Sequence, residues 1–353
     1  MPTSLQTLLE ANTMPAAEEL VRRAPDGRVQ CLACAHRCRI ADGRAGVCRV
    51  RFNRGGRLMV PAGYVAGLAA DPIEKKPFYH VLPGSQAMSF GMLGCDLHCP
   101  YCQNWISSQT LRDEDAVAGP SPASAEEIVS AARRRGAPVI ISTYNEPLIT
   151  AEWAVTIFRL ARAAGMLCGF VSNGHATPEV LDYLRPHVDL YKVDLKSFRD
   201  VNYRRLGGSL TAVLDTIRRL KDLGVWVEVV TLVVPGFNDS DAELREIASF
   251  LAGVSRDIPW HVTAFHPDYR MTDPPRTPVE TLLRARDLGL SAGLAYVYAG
   301  NAAGEVGDAE HTFCHACRRL LIARRGFRVV ENRLAGGKCP YCGTNIPGIY
   351  RAT

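Results

Sequence analysis

Met88-Ser89-Phe90-Gly91-Met92-Leu93-Gly94-Cys95-Asp96-Leu97-His98-Cys99-Pro100-Tyr101-Cys102-Gln103-Asn104-Trp105 is the segment that decides the character of this chain. Its first four residues read as a short apolar strand. That strand feeds a C-x3-C-x2-C loop with an aromatic residue before the last cysteine. Three cysteines compressed into one loop converge on a single centre better than they staple distant segments. A [4Fe–4S] cluster normally takes four thiolates, so three local ones leave one iron free to bind something else. The plainer readings are a zinc knuckle short of one ligand, or three buried thiols; the downstream context favours the cluster.

Working outward, the 353-residue chain holds 12 cysteines, at 31, 34, 38, 48, 95, 99, 102, 168, 314, 317, 339 and 342. All but Cys168 fall into three groups. A disulfide scaffold would normally be a short secreted chain behind a signal peptide. Here Met1 to Arg23 has no apolar h-region, and the sequence contains no 18-residue apolar run. The expectation is a cytoplasmic protein that uses its thiols for metals, without a membrane.

A chain this long can bury a large core and carry one or two small satellites. Hydrophobic content of 47% and charged content of 22% are ordinary for a globular protein. The formal net charge of +5 is spread along the chain. Basic groups such as Arg133-Arg134-Arg135 and Arg318-Arg319 read as solvated faces, so no nucleic-acid partner is expected.

The middle of the chain alternates strands and amphipathic helices. Strands are expected at 88–91, 138–143, 167–172, 190–195, 225–234, 261–265 and, as a closing strand, 294–298. Helices are expected at 124–135, opened by a Ser124/Glu127 capping box, and at 151–164, 178–185, 210–223, 241–251 and 279–288. Strands separated by helices imply right-handed parallel βαβ units. Six or seven of them make an α/β fold of the partial TIM-like (β/α)6 barrel kind, smaller than the eight-unit version. Residues 71–303 are assigned to it. Residues 1–70 form a Cys-rich N-terminal module and residues 304–353 a metal-binding C-terminal one, with Gly304 to Asp308 a linker.

In such barrels the chemistry lies at the C-terminal strand ends. There the chain places the cysteine loop, Thr143-Tyr144-Asn145-Glu146-Pro147, Ser172-Asn173-Gly174-His175, Asp194 with Lys196, Pro235 to Asp239, and Phe265-His266-Pro267. Each could be an ordinary turn. Their joint placement on one rim suits a zwitterionic ligand with a ribose and an adenine.

Taken with Asp71-Pro72-Ile73-Glu74-Lys75-Lys76-Pro77 and Tyr191-Lys192-Val193-Asp194-Leu195-Lys196, these residues resemble the radical S-adenosylmethionine (SAM) enzymes related to pyruvate formate-lyase activating enzymes. Over the whole chain, including its terminal cysteine sets, the resemblance is closer to the AmmeMemoRadiSam-system radical SAM enzymes. It implies a [4Fe–4S] cluster on Cys95, Cys99 and Cys102, the catalytic cysteines, whose open iron chelates SAM. It also implies Tyr101 against the adenine and further cofactor contacts from Asn104 and Thr143. Asn145-Glu146-Pro147 falls where the family has Gly-Gly-Glu-Pro, with Tyr144 and Asn145 replacing the glycines. Ser172-Asn173 matches a Thr-Asn pair, Asp194 and Lys196 match an Asp-x-Lys pair, and His266 matches a histidine close to SAM. Val171 stands where the activases commonly hold a cation-binding aspartate.

The C-terminal set, Cys314-x2-Cys317 and Cys339-x2-Cys342, has the spacing of a closed tetrahedral S4 site. Zinc is expected there, with a rubredoxin-like iron as the alternative. The N-terminal set, Cys31-x2-Cys34-x3-Cys38 then Cys48, suits a second zinc or an auxiliary Fe–S cluster and fits neither ferredoxin run. Cys168 and the tryptophans read as packing residues, and His80 as a satisfied surface histidine. The chain is thus expected to be a radical SAM oxidoreductase that takes one electron from flavodoxin or ferredoxin. Its cleavage of SAM would yield a 5′-deoxyadenosyl radical that abstracts a hydrogen atom from a substrate. Two substrate classes compete: a polypeptide, as the activases suggest, and a small metabolite, if an auxiliary cluster takes part. A non-catalytic Fe–S electron-transfer protein is the reading from a different class.

Overall fold

In the computed structural model, residues 5–350 are described. Eight strands form one sheet, labelled here in chain order: β1 Gly67–Pro72, β2 Gln86–Gly91, β3 Val139–Ser142, β4 Leu167–Ser172, β5 Leu190–Asp194, β6 Trp226–Val233, β7 Trp260–Ala264 and β8 Val297–Gly300. The strands lie side by side in sequence order. From β2 to β8 every pairing is parallel, while β1 runs antiparallel to β2 and caps that edge. The sheet stays open between β1 and β8. This is an α/β architecture with a mostly parallel central sheet.

Parallel strands buried on both faces must be apolar throughout. Accordingly Val139, Ile140 and Ile141 of β3 are all buried, as are Val227, Val229 and Val233 of β6. The helices cover the outside with one apolar face each. Ala125–Arg134 opens on the expected capping box: Ser124 accepts from the Glu127 N–H and Glu127 accepts in return from the Ser124 N–H. Ala151–Ala163, Pro178–Leu184, Leu210–Asp222, Asp241–Val254 and Val279–Ser291 follow, each within a few residues of expectation.

Among the elements that the sequence reading lacks, two bear on the large sheet and its site. Strand β1 was not anticipated, and the boundary expected between residues 70 and 71 cuts through it. Its small residues carry no apolar alternation, and only pairing with β2 makes it a strand. Helix Asp200–Leu206 was also unread; seven residues give too little periodicity to detect.

Short antiparallel strands precede the large sheet, among them Val21–Arg23, Val29–Cys31 and Arg39–Ile40. After the sheet come Thr312–Phe313, Leu320–Arg325 and Arg328–Asn332 in a three-stranded meander. One buried arginine ties each end to the barrel. Arg51 makes a two-pronged ion pair with Glu152 (2.6 and 2.8 Å), and Arg324 lies 3.6 Å from Glu74 while donating to the Tyr79 carbonyl (2.7 Å). His80 is buried, contrary to the surface position expected for it. Its ring nitrogens meet the Pro347 carbonyl and the Tyr298 hydroxyl, both at 2.6 Å, so its polar groups are satisfied from distant parts of the chain.

Candidate functional site

The cysteine loop folds over the C-terminal ends of the strands. Its His98 N–H donates to the Leu206 carbonyl (3.0 Å), seating the loop on the end of helix Asp200–Leu206. Gly207 makes this approach feasible: it is left-handed (φ +83°), and a Cβ there would lie 2.2 Å from the His98 ring. Leu97, Tyr101 and Phe265 are buried around the loop and exclude water from its inner side.

Cys95, Cys99 and Cys102 all face one cavity of about 410 Å³ at the strand ends. That is the scale of small-molecule sites, roughly 300–1,000 Å³. Burial raises all three thiols, Cys99 to about 12. Thiols raised in this way ionise readily only when a metal meets them. The Leu97 N–H points at Cys95 Sγ (3.4 Å) and Ser108 Oγ lies 3.2 Å from Cys102 Sγ, contacts that suit thiolate ligands. The donor set therefore fits an iron–sulfur cluster.

Tyr101 lines the cavity and packs edge-on against Phe237. Asn104 reaches the same cavity from the exposed rim. Thr143 is buried in the wall beyond β3. Asn145 has a structural bond as well, accepting from the Met92 N–H (2.9 Å) and so tying the β3 loop to the β2 loop. Tyr144 occupies left-handed backbone (φ +71°), a conformation that costs a non-glycine residue energy. Gly91 makes room for it, since a Cβ at Gly91 would sit 2.5 Å from the Thr143 carbonyl and 2.8 Å from Tyr144 Cβ.

Glu146 is nearly inaccessible, and both its oxygens are in use. Oε1 accepts from Ser172 Oγ (2.6 Å) and the Leu148 N–H (3.0 Å), and Oε2 from the Asn173 N–H (2.7 Å). A carboxylate offers about four acceptor sites, so one remains on Oε2. Burial, and then the Asp96 carboxylate, push the Glu146 carboxyl up to about 8. Asp96 itself is held below its ordinary value despite burial, by His175 (3.0 Å) and the Asn173 side chain (2.8 Å). Asn173 thus bridges Glu146 to the cysteine loop.

On β5, Asp194 lies between Lys192 and Lys196, the latter at 3.3 Å. Burial opposes its charge, yet the two lysines hold its carboxyl low, and Asp194 in turn keeps Lys196 charged. Both lysines and Asp194 line the cavity. His266 stands apart: its side chain is 56% exposed, it is not part of the cavity wall, and it meets Gln103 on the rim (3.2 Å).

Several cavity residues had gone unassigned. Lys76 pairs with Asp71 (2.8 Å) beneath the Tyr144 ring, and Phe327, at the turn of the C-terminal hairpin, reaches the mouth. His261 bonds Glu228 (2.7 Å), which also accepts from the Tyr79 and His80 N–H groups. Lys76 lay in a quoted family motif, but nothing local links residues 76, 261 and 327.

The C-terminal cysteines come together as expected. Their four sulfurs lie within 4.8 Å of one another, with Cys314–Cys342 at 3.7 Å and Cys317–Cys339 at 3.6 Å. A Zn–S bond of about 2.3 Å at tetrahedral angles sets sulfur edges of about 3.8 Å, so one ion fits. The N-terminal four do not gather so tightly. Among the described residues the other close group is Cys34 with Asp96 and His175. No helix of the described residues is long and apolar enough to cross a membrane.

Comparison with known proteins agrees with this geometry. The profile of the Radical SAM superfamily matches residues 91–251. The uncharacterized protein MJ0808 of Methanocaldococcus jannaschii is 39% identical over 325 residues, spanning 91% of this chain and 96% of the relative. A pyruvate formate-lyase-activating enzyme of Clostridium pasteurianum is 23% identical over 209 residues, 54% of this chain and 84% of the relative. Among solved structures, a radical SAM methyltransferase from Sphaerobacter thermophilus shares the fold, with a TM-score of 0.50 at 16% identity over 88% of this chain and 81% of that one.

Proposed function

Because the chain belongs to the radical SAM superfamily, we propose that it binds SAM in the cavity at the strand ends and directs a hydrogen-atom abstraction on a polypeptide substrate. One observation carries this reading: the three loop cysteines open into the same cavity as Thr143, Glu146, Asn173, Asp194 and Lys196. A reduced [4Fe–4S] cluster on Cys95, Cys99 and Cys102, when bound, supplies the electron that cleaves SAM to methionine and a 5′-deoxyadenosyl radical.

The chain's own residues bind and orient. The free acceptor site of Glu146 Oε2 suits an ammonium, and Lys196 presents a point charge suited to a carboxylate. Tyr101, fixed against Phe237, offers an apolar face for an adenine. Beyond this half, the cavity continues past Lys76 and His261 to Phe327, leaving space for a substrate segment. Homology to the pyruvate formate-lyase-activating enzymes supports a polypeptide there. The terminal cysteine sets support the AmmeMemoRadiSam-system type. We assign the electron donor to the flavodoxin or ferredoxin class; Gln103, Asn104 and Ile106 expose a rim beside the loop for it. The C-terminal four hold zinc in this reading, and twelve free cysteines suit a reducing, cytoplasmic compartment.

The test is dithionite-dependent formation of 5′-deoxyadenosine from SAM by the oxygen-free protein. The wild type is expected to cleave SAM, and Cys99→Ala to fall to background. A wild-type protein reconstituted to four irons at the loop that forms no 5′-deoxyadenosine overturns the reading.

A further inference from the structure

We infer that Cys31, Cys34, Cys38 and Cys48 hold a second, fully cysteine-ligated iron–sulfur cluster packed directly against the loop of the first. It is a site separate from the SAM cavity, and it settles on one metal where the spacing alone leaves zinc and iron open.

Four observations converge on it. First, the four thiols meet in one place. Cys31, at the end of a strand, donates its N–H to the Cys38 carbonyl (2.9 Å), Cys38 Sγ accepts from the Val47 N–H (3.4 Å) next to Cys48, and Cys34 follows Cys31 by three residues. Cys31, Cys34 and Cys48 are buried and Cys38 is half-buried, so the centre is shielded with one edge toward solvent.

Second, the spacing is wider than one ion allows. The C-terminal sulfurs close to 3.6 and 3.7 Å, as a tetrahedral ion requires. The N-terminal sulfurs form no such group, and neither do Cys95, Cys99 and Cys102. In a cubane each thiolate binds a different iron, which holds the sulfurs farther apart than ligands of a single atom. In not closing to single-ion distance the N-terminal set is like the cluster loop and unlike the C-terminal knuckles.

Third, a buried cation faces the set without full satisfaction. Arg51 is 1% exposed, follows Cys48 by three residues, and accepts at its carbonyl from the Gly46 N–H (2.8 Å). Its terminal nitrogens are taken by Glu152, but its Nε has no hydrogen-bond partner. A buried donor left unpaired is costly unless something negative sits near it, and a thiolate-ligated cluster is negative.

Fourth, the two cysteine sites share a wall. A Cβ on Gly94 would meet Val50 at 2.9 Å and the Cys48 carbonyl at 3.0 Å. His36 bonds the Asp96 carbonyl (3.0 Å), Arg112 spans the Leu97 and Val47 carbonyls (3.1 and 2.5 Å), and Cys34 lies with Asp96 and His175. The second set and the loop are thus in direct contact.

The experiment removes the first cluster and counts what stays. The Cys95→Ala/Cys99→Ala/Cys102→Ala variant, reconstituted without oxygen, is expected to keep about four irons and four sulfides per chain. It should show a dithionite-induced paramagnetic signal that SAM does not alter. The reciprocal Cys31→Ser/Cys48→Ser variant is expected to lose that signal and keep the SAM-sensitive one. Should either variant fail to fold, the wild type decides: about eight irons and eight sulfides, with only one of two reduced signals responding to SAM. Retention of zinc in place of iron, of a single iron without sulfide (including an ion on Cys34, Asp96 and His175), or of no metal overturns the inference. Loss of the SAM-sensitive signal alone would instead count against the SAM assignment, so the two failures are distinct.

Discussion

The two ends of this chain each carry four cysteines, and they solve the same problem differently. The C-terminal four sit on two tight C-x2-C turns, close to single-ion distance, with Cys342 exposed. The N-terminal four are spread over 18 residues, mostly buried, and held wider apart against the SAM-site loop. One end brings its sulfurs to a distance that one metal ion would close; the other leans on the barrel. Equal cysteine counts therefore do not imply equal centres. What separates them is how far apart the surrounding fold holds the sulfurs.

That contrast can be broken in graded steps. The largest effect is expected from stripping the C-terminal ion with a strong chelator. Structural zinc contributes about 10–16 kcal/mol in small domains, so hydrogen-exchange protection across residues 312–346 should collapse while the sheet strands stay protected. Unchanged protection there would mean that the module stands on its own contacts. Next comes Arg51→Leu, which strands the Glu152 carboxylate in the core. A loss of about 3–5 kcal/mol is expected in urea unfolding, with most of it recovered by adding Glu152→Leu. The matching change at the other end, Arg324→Leu, leaves Glu74 alone at a longer ion pair and should cost less, about 3 kcal/mol. A larger loss for Arg324→Leu than for Arg51→Leu would reverse the claim that the N-terminal end depends more on the barrel. The finest comparison sets two residues beside cysteines against each other. Val50→Ala, buried against Gly94, should cost about 1–3 kcal/mol, whereas Tyr341→Ala on the exposed knuckle should stay within about 0.5 kcal/mol. Equal effects on the unfolding midpoint would show that the knuckle packs as tightly as the cluster wall.

Much of the parallel sheet was legible because its signals are local. Leu167–Ser172 was bounded to the residue, and Ser124 with Glu127 announced a helix start that the structure reproduces bond for bond. Strand β1 was illegible because Gly67-Leu68-Ala69-Ala70-Asp71-Pro72 lacks a pattern of its own and becomes a strand only beside β2. His80 was misjudged because its partners, Tyr298 and Pro347, lie 218 and 267 residues away. Of the residues assigned to SAM, all but His266 line the cavity or bridge into its wall, as the strand-end rule requires.

By itself, then, the sequence determined the cysteine loop, the βαβ alternation and the spacing of a tetrahedral C-terminal site. Each of these is written in neighbours a few residues apart. Only the tertiary structure decided that Glu146 is bound up with Ser172 and Asn173, that Asp96 meets Cys34 of the N-terminal set, and that Phe327 reaches the cavity mouth. Those contacts cross the sheet or join separate modules, and they depend on packing that sets distant residues side by side, which no local pattern encodes.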